Sequence, residues 1–324
     1  MDILKHHKIH NYQTTKGVRY SAIPVSYQVF GQEMNAAPVV VINHALTGNS
    51  DLNSPDKGWW REIVGANQLI DTNHYCVIAF NVPGNGYDGF LIEQYKDFSA
   101  KDIAIIYQRV LNDLNVKSVF AILGGSIGGG IAWEMACLFP DFAKYVIPIA
   151  SDWKASDWII GQSTIQESIL LHANKPMEDA RKMAMLFYRT PASFKEKFNR
   201  LKTKEEESYA VVSWLDHHGE KLKNRFELKA YLLMNHLLST IDAVPQGKTI
   251  QNTFAKITAT IVQISIESDL FFVPIENYET KKILDDLKIP NQFFEIKSIH
   301  GHDAFLLEHQ QITEFLAPIF KKTI

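Results

Sequence analysis

Short apolar runs and longer amphipathic stretches alternate along most of this chain. The runs 39–43 (VVVIN), 75–80 (YCVIAF), 118–123 (SVFAIL), 145–149 (YVIPI), 260–266 (TIVQISI) and 292–296 (QFFEI) are rich in β-branched and aromatic residues and have no regular polar face. That is the pattern of strands buried on both sides. Between most of them lie stretches with helical spacing, notably 99–114, 127–139 and 274–287. Strands alternating with helices predict an α/β fold, a mostly parallel sheet with helices on both faces. The opening run 18–30 alternates more loosely and would supply an antiparallel edge.

The alternation stops between about residues 154 and 245. That stretch has almost no β-run but shows helical spacing at 177–188, 204–218 and 222–239. Because the earlier pattern resumes at TIVQISI, residues 154–245 read as a helical cap inserted into a core made of 1–153 and 246–324. The cleft between cap and core is then the natural binding site. The charged run Lys202, Lys204, Glu205, Glu206 and Glu207 reads as a solvated helix start.

A chain of 324 residues with 46% hydrophobic and 21% charged residues has the material for a large packed core. Its 33 basic and 36 acidic side chains leave a net charge of −3, and no basic run could track a phosphate backbone, so nucleic acid is not expected as a partner. No segment has the length of a signal peptide's apolar core or of a membrane span, so a cytoplasmic protein without a membrane partner is expected. Cys76 and Cys137 are the only cysteines and form neither a disulfide framework nor a zinc cluster.

The chemistry gathers at three places. Gly124-Gly125-Ser126-Ile127-Gly128 fits G-x-S-x-G between a β-run and a helix, which is how an α/β-hydrolase fold presents a serine nucleophile on a strained turn. A phosphate-cradling loop is the competing reading, but Ser126 stands where a dinucleotide fingerprint needs glycine, and the G-K-[ST] ending of a P-loop is missing. The helix N-terminus places the Ile127 N–H to stabilise an oxyanion. A second donor is expected from the loop Asn43-His44-Ala45-Leu46-Thr47-Gly48, and is assigned to Leu46.

In this fold the acid and the histidine follow the serine in that order. Asp269, just beyond TIVQISI, is favoured over Glu267, which lies closer to the strand. After QFFEI come His300 and His302, and His302, at a loop-to-helix junction, is favoured. The His-Gly-His pair has no third ligand at suitable spacing, so no metal is expected.

INHALTGNS, GWW at 58–60, ANQLIDTNHYCVIAFNVPGNG, GGSIGG, SDLFFVP and GHDAFL, in that order, resemble the homoserine O-acetyltransferase family, which also includes serine and cephalosporin acetyltransferases. YRTPASFKEKF (188–198) and the long stretch 208–243 resemble it too, so the likeness runs from about residue 18 to the C-terminus. The resemblance implies ping-pong acyl transfer, in methionine biosynthesis, from an acyl-CoA such as acetyl-CoA to the hydroxyl of homoserine, with no cofactor besides that co-substrate. It also implies that Asp303, after the triad histidine, lies near the acceptor's amino group; a helix N-cap is an equally good reading of Asp303.

Two departures stand out. The family usually has an arginine early in the cap for the acceptor carboxylate, and SDWIIGQSTIQESILLH contains none. Its Gly-Gly-Cys after the Asn-Val pair is replaced by Pro83-Gly84-Asn85. The alternative is an esterase or thioesterase with the same triad and water as acceptor; a non-enzymatic member is disfavoured because all three triad positions are filled. The stripe Tyr231, Leu232, Leu233, Leu237 and Leu238 suits a homodimer contact through the cap and internal cap packing equally well.

Overall fold

The computed structural model describes residues 3–203 and 208–321. In chain order the first half comprises β1 (Lys5–Gln13), β2 (Arg19–Gly31), β3 (Val39–Asn43), β4 (Val64–Gly65), β5 (Ile70–Asp71), β6 (Cys76–Phe80), α1 (Ala100–Asp113), β7 (Val119–Gly125), α2 (Ile127–Leu138) and β8 (Ala143–Ile149). Five helices follow without a strand: α3 (Asp157–His172), α4 (Pro176–Tyr188), α5 (Pro191–Phe198), α6 (Ala210–Lys223) and α7 (Leu228–Ser239). The chain then returns through α8 (Ile250–Phe254), β9 (Thr260–Ile266), α9 (Pro274–Asp286), β10 (Asn291–Ile296) and α10 (His309–Phe320).

Eight strands form one sheet in the order β1-β2-β6-β3-β7-β8-β9-β10. From β6 to β10 every pairing is parallel, while β2 runs antiparallel to β6, and β1 antiparallel to β2. All residues of β3, β6 and β7 are buried, as continuous apolar strands covered on both faces must be. One core cluster packs α1, α2 and much of the helical block against one face, and another packs α10 and the Trp60 region against the other.

The antiparallel edge extends beyond the expected 18–30, because β1 adds a further strand. Only Ile9 and Tyr12 of its nine residues are buried, too few to mark a strand by alternation. It is tied down by polar contacts instead. The Ser99–Asp102 capping box opens α1, and the Asp102 carboxylate also accepts from the Tyr12 hydroxyl at 2.8 Å and the Thr15 N–H at 2.7 Å.

The helical block enters and leaves the core through a narrow stem, where Lys154 and Asp242 form a single antiparallel bridge. Of the helix expected at 204–218, residues 204–207 lie outside the described residues, and α6 begins at Ala210. In α7, Tyr231, Leu232, Leu233, Leu237 and Leu238 are all buried within this one chain. That stripe packs the block and offers no face to a second copy.

The register sets out the site. Asn43 of β3 pairs with Gly124 of β7, Gly125 with Ile149 of β8, and Ile266 of β9 with Ile296 of β10. The carboxyl ends of these five strands therefore share one edge of the sheet, where ligands bind in open α/β sheets.

Candidate active site

Ser126 sits between β7 and α2 with φ 58° and ψ −129°, a strained conformation that costs a non-glycine residue about 1–3 kcal/mol. The turn is tight enough to exclude side chains on either flank. A Cβ on Gly124 would lie 2.2 Å from the Gly128 backbone, and one on Gly128 would lie 2.4 Å from the Asn43 carbonyl oxygen. The two outer glycines of the pentapeptide are thus a steric requirement of the approach between β7, α2 and β3.

Asp269 lies in the loop after β9, and both it and His302 are buried. One carboxylate oxygen of Asp269 accepts the Phe271 N–H at 2.7 Å and the Phe272 N–H at 3.1 Å; the other accepts from His302 Nδ1 at 2.7 Å. His302 Nδ1 therefore carries a proton and Nε2 presents its lone pair. Nε2 is buried and has no hydrogen-bond partner among the described residues, so it makes no hydrogen bond to the Ser126 hydroxyl. Phe305 links the two: its ring is 5.6 Å from the His302 ring and fills the space where a Cβ on Gly125 would fall. Tyr188, Phe271 and Phe272 complete an aromatic enclosure, with ring centroids 4.9–5.8 Å from His302.

The competing residues take other positions. Glu267 is exposed and ion-paired to Lys297 at 3.0 Å. His300 Nδ1 meets the Arg189 guanidinium at 3.0 Å and the Ser193 hydroxyl at 3.1 Å, outside the Asp269–His302 pair. Among the described residues no three His, Cys, Asp or Glu side chains converge as metal ligands, and no helix is long and apolar enough to cross a membrane.

Leu46 and Ile127 are buried at the same sheet edge. Their N–H groups donate to no backbone or side-chain acceptor among the described residues. Asp303 lies in the 3₁₀ turn Gly301–Leu306, and its side chain caps neither that turn nor α10, so the N-cap alternative is not realised. Burial pushes its carboxyl above the usual range, and the charges of Arg181, His302 and Arg189 oppose that shift. Arg189 reaches Asp303 at 3.8 Å, and the Arg181 guanidinium lies 5.5 Å over the Tyr188 ring. No arginine lies on α3, in agreement with the sequence; Arg181 and Arg189 come to the site from α4 and its C-terminus. Sequence reasoning passed over both, because which helix crosses the cleft is decided by tertiary packing.

The helical block touches each chemistry-bearing loop. Trp158 of α3 donates to the Leu270 carbonyl at 2.8 Å, beside Asp269; Thr190 donates to the Ile299 carbonyl at 2.5 Å, before His302; and Arg225 donates to the Thr47 carbonyl at 2.8 Å, beside Leu46. Between Leu46, Phe271, Tyr188, Tyr231, Gln162 and Gln166 there is a closed cavity of about 10 Å³, room for one water. A larger depression of about 510 Å³, lined by Phe194, Phe198, Leu201, Tyr209 and Val211 among others, contains none of the candidate triad residues.

A family model described as alpha/beta hydrolase fold matches residues 38–309. Homoserine O-acetyltransferase of Haemophilus influenzae is 29% identical over 91% of this chain and 92% of its own length. That of Trichormus variabilis is 27% identical over 91% of this chain and 88% of its own length. Two solved structures share the fold closely. Homoserine O-acetyltransferase from Bacillus anthracis superposes with a TM-score of 0.86 at 16% identity, covering 99% of this chain and 98% of that one. Esterase E22 superposes with a TM-score of 0.85 at 16% identity, covering 98% and 100%. The family match over most of the chain, on a sheet whose carboxyl edge carries the strained serine and the histidine–carboxylate pair, shows that this protein belongs to the alpha/beta hydrolase fold family, and it is related along nearly its whole length to homoserine O-acetyltransferases.

Proposed function

We propose that the protein is an acyltransferase that moves an acyl group, acetyl being the simplest, from acyl-CoA to the side-chain hydroxyl of homoserine through an acyl-enzyme on Ser126. The observation that carries this reading is the 2.7 Å contact between Asp269 and His302 Nδ1, which leaves an unpartnered Nε2 at the sheet edge that also carries a serine on a strained turn, with Phe305 packed against both His302 and Gly125. The relationship to homoserine O-acetyltransferases supports the choice of donor and acceptor. The role belongs to methionine biosynthesis and to the cytoplasm, and the residues 154–245 act as a cap over the cleft.

In the first half-reaction Ser126 Oγ attacks the thioester carbonyl and its proton passes to His302 Nε2. Asp269 holds the tautomer and stabilises the imidazolium. The tetrahedral oxyanion is bound by the N–H groups of Leu46 and Ile127. Collapse breaks the carbon–sulfur bond, and the leaving CoA sulfur takes the proton from His302. In the second half-reaction His302 accepts the proton of the acceptor hydroxyl as that oxygen attacks the acyl-serine, then returns it to Ser126. Asp303 meets the acceptor's ammonium, and Arg181 takes the place of the arginine missing from α3 in meeting its carboxylate.

The hydrolase reading, with water as acceptor, is favoured by the lack of an arginine on α3, where Glu167 is bonded to the Tyr95 hydroxyl at 2.6 Å. Thiol release from acetyl-CoA, measured with and without homoserine and followed by product mass analysis, separates the two. O-acetylhomoserine formation supports the transferase. Release that ignores homoserine and yields only acetate rejects it.

A further inference from the structure

The loop after β3 is built around a buried histidine that the proton transfers do not use. We propose that His44 is a positioning residue for the oxyanion hole: its imidazole holds the Ala45–Leu46 peptide so that the Leu46 N–H faces the reacting carbonyl, and Asn85 helps to fix the tautomer this requires. The inference rests on the acyl-enzyme reading above and deepens it.

His44 Nδ1 lies 2.7 Å from the Ala45 carbonyl oxygen, which only accepts, so the proton is on Nδ1. Nε2 faces two donors, the Val82 N–H at 3.0 Å and the Asn85 amide at 3.2 Å, so it must offer its lone pair. Each contact selects the same tautomer. Burial pushes the imidazole down to about 4, which keeps it neutral at neutral pH. The Ala45 carbonyl also accepts the Gly48 N–H at 2.9 Å. In a trans peptide the carbonyl and the next N–H point to opposite sides. Two bonds on the Ala45 oxygen therefore hold the Leu46 N–H on the other side, where it has no acceptor among the described residues.

Asn85 is itself fixed from below. Its amide lies 3.4 Å from Asn81 Oδ1, which accepts the Ser50 N–H at 2.8 Å, and Asn81 Nδ2 donates to the Ser26 and Ser50 hydroxyls at 3.0 Å. The segment Pro83-Gly84-Asn85, which departs from the family pattern, thus supplies one of the groups that lock the imidazole.

The test begins by treating the wild type with a fluorophosphonate. If Ser126 is not labelled, the acyl-enzyme reading fails, and not the role of His44. Two readouts follow: kcat and KM on p-nitrophenyl acetate, and inhibition by a small alkylboronic acid, whose tetrahedral adduct places an oxygen in the hole. His44→Asn keeps an N–H at the Nδ1 position, whereas His44→Gln carries its amide at the Nε2 position and loses the bond to Ala45. Losing the orientation of one oxyanion donor should lower kcat in His44→Gln about 10- to 100-fold with KM little changed. The boronic acid should weaken by the same factor, and His44→Asn should keep at least about ten times the kcat of His44→Gln. Equal losses in both variants, or unchanged boronic acid affinity in His44→Gln, would overturn the proposal. If His44→Gln does not fold, Asn85 carries the test. Asn85→Asp puts an acceptor against Nε2 and favours the wrong tautomer, so it should lose about tenfold more kcat than Asn85→Ala. Equal effects of those two changes overturn the proposal as well.

Discussion

Replacing Asp269 by asparagine separates the tautomer-holding role of the carboxylate from its role in the fold. In the native loop one oxygen is committed to the N–H groups of Phe271 and Phe272, at 2.7 and 3.1 Å, and the other to His302 at 2.7 Å. The asparagine carbonyl oxygen can replace only the first, because a backbone N–H cannot donate to an amide NH2. The new NH2 then faces Nδ1, which must become an acceptor, and the proton moves to Nε2, where it blocks transfer from Ser126. A triad forced into the wrong tautomer loses about 10⁴-fold in rate, equivalent to about 5 kcal/mol of barrier. Both backbone donors stay satisfied, so the variant should fold. Asp269→Ala would instead leave three buried donors unpaired, at about 1–3 kcal/mol each. The assay is single-turnover acylation by acetyl-CoA, with circular dichroism melting as the control for folding. A folded Asp269→Asn variant that keeps a tenth of the wild-type rate would refute the assignment.

Other expectations follow from the same geometry. Asp303→Asn and Arg181→Met should each raise the homoserine KM by about 10- to 100-fold while leaving acylation by acetyl-CoA intact, since each removes a charge-assisted contact made only to the acceptor; equal loss in both half-reactions would contradict those roles. Glu267→Gln removes an exposed ion pair to Lys297 worth about 0–1 kcal/mol and should leave activity unchanged, which steady-state kinetics would check. Gly128→Ala should fold poorly, as measured by urea unfolding, with a loss of about 3 kcal/mol or more, because the new methyl would sit 2.4 Å from the Asn43 carbonyl oxygen. Buried Glu134 on α2 has its carboxyl raised from 4.5 to about 7 by burial. The folded state therefore holds this proton more tightly than the unfolded chain, so the group's stabilisation is complete below pH 4.5 and is lost as pH rises to about 7. Chemical denaturation of wild type and Glu134→Gln across that window should show a difference on the order of 3 kcal/mol in pH dependence, and parallel curves would count against it.

The central sheet was legible because β3, β6 and β7 are buried on both faces and so carry unbroken apolar runs. The strained turn at Ser126 and the pairing of Asp269 with His302 were legible from chain order together with a steric need for glycine at 124 and 128. β1 was not, since its stability comes from a long antiparallel register and from Asp102 rather than from an apolar face. α3 escaped notice for a different reason. It turns Gln162, Ser163 and Gln166 inward, along with Ile159 and Leu170, and leaves Trp158, Ile160 and Ile165 exposed, so its apolar residues mark no single buried face. The α7 stripe shows the converse limit. Its apolar pattern demands burial, but only the fold reveals that the same chain provides it. The role proposed for Arg181 could not be found from local pattern at all, since it depends on the end of α4 packing against His302.

The most direct measurement is to trap the acyl-enzyme: mix the protein with acetyl-CoA in the absence of acceptor, quench in acid, and locate the added acetyl group by peptide mass spectrometry. The account requires the acetyl group on Ser126, its disappearance when homoserine is added, and no labelled peptide in Ser126→Ala. An acetyl group on another residue, or full turnover by Ser126→Ala, would contradict it.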